Sequence, residues 1–178
     1  CMLNAIGLQN PGVDYFIEHD LPWLKEQGTV VIANIAGNTP EEYCAMAEKL
    51  SDTNVDMLEM NISCPNVKEG GVQFGTSCIG VEQITAAVRK HCTKPLMVKL
   101  SPNVTDIGDI AASAEAGGAD AISMINTLTG MRIDIQTRRP IIRNNTGGGS
   151  GPALLPIAVR MIWQAYNRVK IPIVGMGG

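Results

Sequence analysis

Short apolar runs that alternate with helical patterns are the feature that most restricts the fold of this chain. Each run is almost continuously apolar and rich in β-branched residues or methionine, which is typical of parallel strands buried on both faces. The five runs are 30–35, 55–62, 96–100, 121–125 and 171–174. Strict alternation of strand and helix predicts a parallel sheet whose strands are joined by right-handed crossovers.

The helical patterns between the runs have start and stop signals. Thr39 can cap a helix whose first residue is Pro40, and Glu42 completes a Thr-x-x-Glu capping box. We expect Pro22 to break the leading helical segment, 13–26, into two. The apolar residues of the helices are Tyr43, Met46, Ala47 and Leu50 in the first, Val81, Ile84, Ala87 and Val88 in the second, Ile107, Ile110, Ala111 and Ala114 in the third, and Leu155, Val159, Ile162 and Tyr166 in the fourth.

Two architectures fit this alternation, a (β/α)8 barrel and an open doubly wound sheet. The dinucleotide-binding pattern G-x-G-x-x-G does not follow the first strand. Polar residues or glycines follow the runs instead, at Asn34, Asn61, Lys99, Asn126 and 175–178. Because a barrel brings all of its strand ends to one face, this pattern favours the barrel. We therefore predict an α/β fold that is an incomplete (β/α)8 TIM barrel, with about five parallel βα units of the eight that close such a barrel.

Charge and cysteine content exclude several classes of protein. The net charge of −3 gives no basic surface for nucleic acid, and no apolar run approaches the roughly 18–20 residues that span a membrane. The five cysteines form no CxxC pair and no metal-finger spacing, which indicates free thiols in a reducing compartment and no metal site. We expect a soluble cytoplasmic protein that binds neither nucleic acid nor membrane.

The ends of the chain suggest that it is an internal piece of a longer protein. It begins at Cys1 rather than at methionine and ends at Gly178 directly after an apolar run. We expect residues 1–178 to form the central part of a single barrel domain.

The segment Asn-Ile-Ser-Cys-Pro-Asn, residues 61–66, offers a thiol between two side-chain amides at the end of a predicted strand. The glycine-rich stretch that follows has no secondary-structure pattern, and long loops of this kind are often lids or binding loops. The Cys64 thiol could accept a proton from carbon if its surroundings lowered its pKa. The alternative is a buried and inert cysteine, and these residues by themselves leave both possibilities open.

Other strand ends carry further candidates. Lys99 lies in an apolar run, where a cation is unfavourable unless it faces a polar site or extends to solvent; we favour a fixed positive charge against an anionic ligand. Two glycine clusters, 147–151 and 175–178, could cradle a phosphate through backbone amides, the first of them at the start of a helix. Together they suggest a phosphorylated cofactor such as FMN. Asn126 and Thr127 are either site residues or an ordinary polar turn.

Taken together, these segments resemble the dihydroorotate dehydrogenase family. The resemblance is carried by Asn-Ala-Ile-Gly-Leu at 4–8, by 61–66, by Val-Lys-Leu-Ser-Pro at 98–102, by Ile-Asn-Thr at 125–127 and by Gly-Gly-Gly-Ser-Gly-Pro at 147–152. Their order and spacing hold across the chain and are closest to class 1B, the NAD-linked branch. The resemblance implies a (β/α)8 barrel with FMN at the carboxyl ends of its strands, and oxidation of (S)-dihydroorotate to orotate in de novo pyrimidine (UMP) biosynthesis.

The resemblance also implies roles for individual residues. Cys64 would be the catalytic base that removes the C5 proton, while hydride passes from C6 to FMN. The residues implied to hold orotate are Asn4, Ala5, Ile6, Gly7, Leu8, Asn61, Asn66, Asn126 and Thr127. Those implied to contact FMN are Asn34, Asn61, Lys99, Ile125, Gly151, Gly177 and Gly178, with Lys99 stabilising negative charge on the reduced flavin.

Class 1B further implies an electron-transfer partner subunit that carries FAD and an iron–sulfur cluster, with NAD as the final acceptor and a homodimer or heterotetramer as the assembly. Two alternatives remain at this point: a flavoenzyme like dihydropyrimidine dehydrogenase, acting on uracil or thymine, and a truncated fragment without catalysis. Recognition of the orotate carboxylate needs donors near residues 4–8, and this requirement separates the first alternative from the leading hypothesis.

Overall fold

The computed structural model describes residues 2–63 and 74–178. Its strands are β1 (Met2–Asn4), β2 (Ile32–Ile35), β3 (Met57–Asn61), β4 (Leu96–Lys99), β5 (Ala121–Met124), β6 (Leu128–Gly130), β7 (Ile133–Asp134), β8 (Arg139–Pro140), β9 (Gly147–Ser150) and β10 (Ile173–Gly175). Its α-helices are α1 (Val13–Tyr15), α2 (Leu21–Glu26), α3 (Pro40–Ser51), α4 (Cys78–Arg89), α5 (Ile107–Ala116) and α6 (Leu155–Tyr166).

The centre of the molecule is a five-stranded sheet in the order β10-β5-β4-β3-β2. All neighbouring pairs in it are parallel, and each strand lies within or overlaps one of the five predicted apolar runs. The helices α3, α4, α5 and α6 occupy the connections between successive strands. This arrangement confirms the predicted incomplete (β/α)8 barrel with about five parallel units.

The two faces of the central sheet differ in polarity. Side chains alternate along a strand, so Leu58 and Met60 of β3 share one face, and both are fully buried in the core. Glu59 and Asn61 lie on the other face, where Asn34 is paired in register with Glu59, and Lys99 with Asn61. The polar ends of neighbouring strands therefore meet on one face at the carboxyl edge of the sheet.

The leading helical segment is continuous, so the predicted break at Pro22 is wrong. A π-helical turn at Phe16–Asp20 joins α1 to α2, and the Leu21 N–H donates to the Phe16 carbonyl, five residues back. Pro22 cannot donate a backbone hydrogen bond and its ring crowds the preceding turn. The wider π turn before the proline accommodates it at the start of α2.

The start of α3 largely confirms the predicted cap. The Thr39 side chain accepts from the Glu42 N–H at 3.3 Å, as a capping box requires. The Glu42 carboxylate, however, accepts from the N–H of Asn38 at 2.6 Å, one residue before the cap. The helix therefore begins where the capping box predicted, but Glu42 accepts from the N–H of Asn38 and not from that of Thr39.

The side of α6 that packs on the core is not the one suggested by its large apolar residues. Its buried residues are Ala158, Met161 and Ala165, whereas Val159 and Tyr166 are 56% and 72% exposed. Most positions of this helix are apolar, so the sequence pattern did not define a single buried stripe. Ala158, Met161 and Ala165 belong to the hydrophobic core, and Ile162 packs against it.

The stretch between β5 and α6 forms small antiparallel sheets that the sequence did not predict. β9 pairs with both β1 and β6 in a three-stranded sheet, and β7 pairs with β8. The first glycine cluster was expected to open a helix, but Gly147–Ser150 is strand β9, and only Gly151 precedes the helical segment. Because glycine is depleted in strands, the sequence pattern did not predict β9.

No helix in residues 2–63 and 74–178 is long and apolar enough to cross a membrane.

Candidate active site at the carboxyl edge of the sheet

A cavity of about 550 Å³ opens at the carboxyl edge of the sheet, a volume in the range of small-molecule sites. It brings together residues 4–8, Asn61, Asn126 and Thr127, which are all of the described residues that the family resemblance assigns to the substrate. The remaining lining residues are Ile62, Ser63, Gly75, Thr76, Ser101, Asn103, Thr129, Asn144, Thr146, Gly147 and Gly148. The cavity is rich in amide and hydroxyl groups, which suits a small polar heterocycle.

Two asparagines from different strands are joined in the cavity wall. The Nδ2 of Asn126 donates to the Oδ1 of Asn61 at 3.1 Å, and the Ser63 N–H donates to the same oxygen at 3.2 Å. The Tyr43 hydroxyl donates to the Asn61 carbonyl at 2.7 Å and fixes the backbone there. The Asn61 Oδ1 thus accepts twice within the wall, which leaves Nδ2 as the donor of this side chain.

Residues 4–8 leave β1 and form one side of the cavity. Gly7 and Leu8 have φ values of 81° and 56°, so the chain turns sharply in the left-handed region. The side chains of Ile6 and Leu8 are largely exposed. This segment can therefore contact a ligand through backbone groups as well as through the Asn4 amide.

Asn103 fixes the loop after β5 and was missed by the sequence analysis. Its Nδ2 donates to the Thr127 carbonyl at 3.1 Å, and its Oδ1 accepts from the Thr129 N–H at 2.9 Å. The buried Ser101 in turn accepts from the Asn103 N–H at 3.2 Å. The available signal was its position in the loop directly after β4, where site residues concentrate.

Glycine contacts hold β9 against the same loop. A Cβ on Gly147 would lie 2.4 Å from the Asn4 carbonyl oxygen, and one on Gly148 would lie 2.2 Å from the Thr127 Oγ1. Neither position has room for a side chain. These two glycines therefore pack against residues that the family resemblance assigns to the substrate.

A second group of polar side chains lies on the strands themselves. The Asn34 Nδ2 and the Ser123 Oγ each donate to Glu59 at 2.5 Å, and the Lys99 Nζ lies 3.9 Å from the Glu59 carboxylate. Lys99 thus has a polar environment, as expected, but its partner within the chain was not foreseen. Glu59 interrupts an apolar run just as Lys99 does, so the same reasoning could have found it.

The glycines assigned to FMN meet near the start of α6. Gly151 precedes the 3-10 turn Pro152–Leu154 that leads into α6. A Cβ on Gly178 would lie 2.6 Å from the Leu155 Cα, and one on Gly177 would lie 3.3 Å from the Ile125 Cγ1. Backbone amides at the start of a helix favour a phosphate, and the positive φ of all three glycines permits this close approach.

The residues assigned to FMN thus include groups of the kinds that a flavin and its phosphate can use: an amide and a cation on the strands, Asn34 and Lys99, and glycines at the start of the helical segment that leads into α6. Cys64 and Asn66, the assigned base and one assigned substrate amide, lie outside the described residues. Ser63 and Gly75, which are described on either side of that range, both line the cavity.

The fold and the site define a class of protein: a barrel of the (β/α)8 type with a polar small-molecule site at the carboxyl ends of its strands. Comparison with known families narrows this class. The chain belongs to the dihydroorotate dehydrogenase family, whose model, described as "Dihydroorotate dehydrogenase", matches residues 1–178.

Curated relatives agree with this assignment. The chain is 60% identical over 177 residues to a protein of Alkaliphilus metalliredigens named "Dihydroorotate dehydrogenase B (NAD(+)), catalytic subunit", with 99% of this chain and 59% of the relative covered. It is 57% identical over 178 residues to a protein of the same name from Geobacillus kaustophilus, with 99% and 57% covered. The chain therefore spans less than two thirds of the length of these relatives.

Solved structures support the fold alone. A crystal structure titled as the apo form of a deoxyribose-phosphate aldolase from Toxoplasma gondii ME49 superposes with a TM-score of 0.50 at 19% identity. The match covers 90% of this chain and 60% of that one.

Proposed function

We propose that this chain carries the substrate site and part of the FMN site of an NAD-linked dihydroorotate dehydrogenase, which oxidises (S)-dihydroorotate to orotate in UMP biosynthesis. The observation that carries the proposal is the cavity that gathers residues 4–8, Asn61, Asn126 and Thr127 at the carboxyl edge of the sheet. Residues 1–178 would then be the central part of a single FMN-binding barrel domain.

The amides of the cavity suit a dihydropyrimidine ring. Such a ring carries N–H donors and carbonyl acceptors along its edge, and side-chain amides offer both complementary groups. Asn61 would donate through Nδ2, while Asn126 keeps a second N–H beyond the one used on Asn61. Asn4 and the backbone N–H groups of residues 5–8 would provide donors for the carboxylate, and Asn66 a further amide.

Cys64 would act as the base that takes the proton from C5. Formation of the C5=C6 double bond also releases a hydride from C6, and FMN, when bound, accepts it. A cysteine is suited to this step when its surroundings bring its pKa towards the working pH. The described neighbours Ser63 and Asn61, which are hydrogen-bonded to each other, fix the chain directly before the thiol.

The strand-borne groups would hold the cofactor. Lys99 supplies a positive charge beside a ring that becomes more electron-rich on reduction, and Asn34 and Asn61 supply amides. Ile125 would pack against the cofactor, while Gly151, Gly177 and Gly178 would direct backbone N–H groups to its phosphate at the start of the helical segment.

The relatives are named as catalytic subunits, which supports a separate partner for this chain as well. We infer that the partner is an electron-transfer subunit with FAD and an iron–sulfur cluster, which passes electrons to NAD, and that the assembly is a homodimer or heterotetramer. A cytoplasmic location fits a biosynthetic enzyme of this kind.

The test is anaerobic reduction of the flavin. The complete reading frame that contains this chain is expressed, its flavin is identified as FMN, and dihydroorotate is added without oxygen. We expect the flavin absorbance to bleach with dihydroorotate and to persist with dihydrouracil, which lacks the carboxylate. Bleaching by dihydrouracil alone would favour the dihydropyrimidine alternative, and a protein without FMN would refute the proposal.

A further inference from the structure

Glu59 is a buried carboxylate inside the parallel sheet, one strand from its edge. It lies on β3, with strands on both sides, and it is only 8% exposed. A carboxylate in such a place is strongly unfavourable unless it is paired and hydrogen-bonded. Glu59 is assigned neither to the substrate nor to FMN, so the unfavourable burial of its charge needs another explanation.

Each partner of Glu59 comes from a different strand. Oε2 accepts from the Asn34 Nδ2 on β2 at 2.5 Å, and Oε1 accepts from the Ser123 Oγ on β5 at 2.5 Å. The Lys99 Nζ on β4 lies 3.9 Å from Oε2. One carboxylate therefore links the side chains of four neighbouring strands, and two of its partners, Asn34 and Lys99, are assigned to FMN.

The first consequence concerns the orientation of the Asn34 amide. An ionised carboxylate can only accept hydrogen bonds, so Asn34 must turn its NH₂ group to Glu59. Its Oδ1 is then the atom that faces a ligand, and Asn34 is exposed enough to reach one. Glu59 thus determines that this position presents an acceptor.

The second consequence concerns the charge of Lys99. At 3.9 Å the ammonium and the carboxylate attract each other, but the distance is longer than a hydrogen bond. Within residues 2–63 and 74–178 the Lys99 ammonium makes no hydrogen bond, so its N–H groups can reach a ligand while its charge is partly compensated. A ring bound beside Lys99 experiences less positive potential than an isolated lysine would give.

We propose that Glu59 is a positioning residue of the flavin site, which orients the Asn34 amide and moderates the charge of Lys99, and thereby sets the FMN affinity and reduction potential. The inference rests on the proposed function, because that function assigns Asn34 and Lys99 to FMN. Glu59 itself would touch neither substrate nor cofactor, and it would act through Asn34 and Lys99, which would contact FMN.

The first test is Glu59→Gln in the flavin-loaded full-length protein. The substitution removes the negative charge at nearly constant size, so Lys99 is no longer compensated and the reduced flavin is favoured. We expect the reduction potential, measured by anaerobic titration with a chemical reductant, to rise by about 30 mV, which is tenfold in the two-electron equilibrium. Glu82→Gln, at an exposed carboxylate on α4, is the matched control and leaves the potential unchanged.

A purely structural carboxylate would lower stability without moving the potential, so an unchanged potential in folded Glu59→Gln overturns the proposal. Glu59→Asp covers the case in which the Gln variant does not fold. It keeps the charge but shortens the side chain, so the hold on Asn34 weakens and the FMN dissociation constant rises by about threefold or more. An unchanged FMN dissociation constant in Glu59→Asp also overturns the proposal.

Neither measurement uses dihydroorotate, and this separates the two hypotheses. A wild-type protein that holds FMN but is not reduced by dihydroorotate refutes the proposed function and leaves the Glu59 comparison intact. A flavin that dihydroorotate reduces, with a potential that is the same in wild type and Glu59→Gln, retains the function and refutes the role of Glu59.

Discussion

The two halves of the candidate site are built in different ways. The half proposed to hold the cofactor consists largely of side chains on parallel strands, in which Asn34, Lys99 and Ser123 all meet Glu59 across the sheet. The half proposed to hold the substrate consists of loop residues packed against a small antiparallel sheet, where Gly148 lies directly beneath Thr127. The register of the parallel strands positions the side chains of the first half. Close backbone contacts and hydrogen bonds of side-chain amides position the residues of the second half.

This difference implies that the halves can be damaged separately. A change of charge on the strands should alter the flavin and leave the loops in place. A change of volume or of an amide at the loops should weaken substrate binding while FMN stays bound, because the contacts that Glu59 makes with Asn34, Ser123 and Lys99 all lie on the strands.

The largest effect is expected from Cys64→Ala. Loss of the base should slow flavin reduction by dihydroorotate by about 10²- to 10⁴-fold, while FMN content stays at the wild-type level. Anaerobic stopped-flow absorbance measures the rate. Cys78→Ala, at the exposed first residue of α4, is the control with no expected change, and equal rates for the wild type and Cys64→Ala would remove Cys64 from the mechanism.

Gly148→Ala tests whether the substrate half depends on close packing. The new Cβ would lie 2.2 Å from the Thr127 Oγ1, so the loop must move, at a cost of about 1–3 kcal/mol in stability. We expect orotate affinity to fall by more than about tenfold, with FMN retained, in a titration of orotate into the flavin-loaded protein.

Gly130→Ala is the matched control for that variant. Gly130 lies on β6 of the same small sheet, but its Cβ would meet only the Leu3 Cδ1 at 3.5 Å, an ordinary contact. Equal orotate affinities for the Gly148 and Gly130 variants would show that close packing beneath Thr127 is not required.

Asn126→Ala removes one amide without adding volume. It takes away the donor to the Asn61 Oδ1, and we expect a loss of about 1–1.5 kcal/mol in orotate binding, roughly tenfold in the dissociation constant. Calorimetric titration of orotate measures it. The control is Asn54→Ala, at an exposed position before β3, which should bind orotate as tightly as the wild type does. Wild-type orotate affinity in Asn126→Ala would show that the amide pair has only a structural role.

The smallest effect is expected at the opposite edge of the sheet, from Asp56→Asn. The Asp56 carboxylate accepts from Lys25 and from the Val31 N–H, and the hydrogen bond from Lys25 is the main reason that its pKa lies below the ordinary value. A lowered folded-state pKa stabilises the fold above the unfolded-state pKa, and this contribution is lost as the pH falls through the folded-state value.

The Asn variant should therefore melt slightly below the wild type at neutral pH, and the difference should vanish in acid below the ordinary aspartate range. Thermal denaturation across pH, with Asp52→Asn as an exposed control, measures this. Neither FMN nor orotate binding should change, and a loss of either would contradict the separation of this edge from the site.

The sequence predicted the parallel sheet and its helices well, because the sequence signals for these elements are local. Buried strands are continuous apolar runs, and the cap at Thr39 is a pattern over four residues. Through the family resemblance it also marked part of the cavity lining, namely residues 4–8, Asn61, Asn126 and Thr127. The antiparallel half was missed, since β9 consists of three glycines and a serine, and only its partners β1 and β6, distant in sequence, make it a strand.

Errors at single elements have similar causes. α6 is apolar at most positions, so its buried side is decided by neighbouring elements and not by its own period. Glu59 interrupts an apolar run as Lys99 does, so the sequence carried a signal for it, whereas its partners on three other strands could not be predicted. For these partners, as for the buried side of α6, the missing information is a contact between residues far apart in the chain.

Whether the two halves meet in one site is measured by titrating orotate into the flavin-loaded full-length protein and following the flavin absorbance spectrum. If ring and substrate are in contact, orotate produces a saturable spectral change. In Gly148→Ala a higher orotate concentration is needed to produce that change, while the FMN content is preserved. A flavin spectrum that stays the same while calorimetry shows orotate bound would mean that the two halves do not form one site.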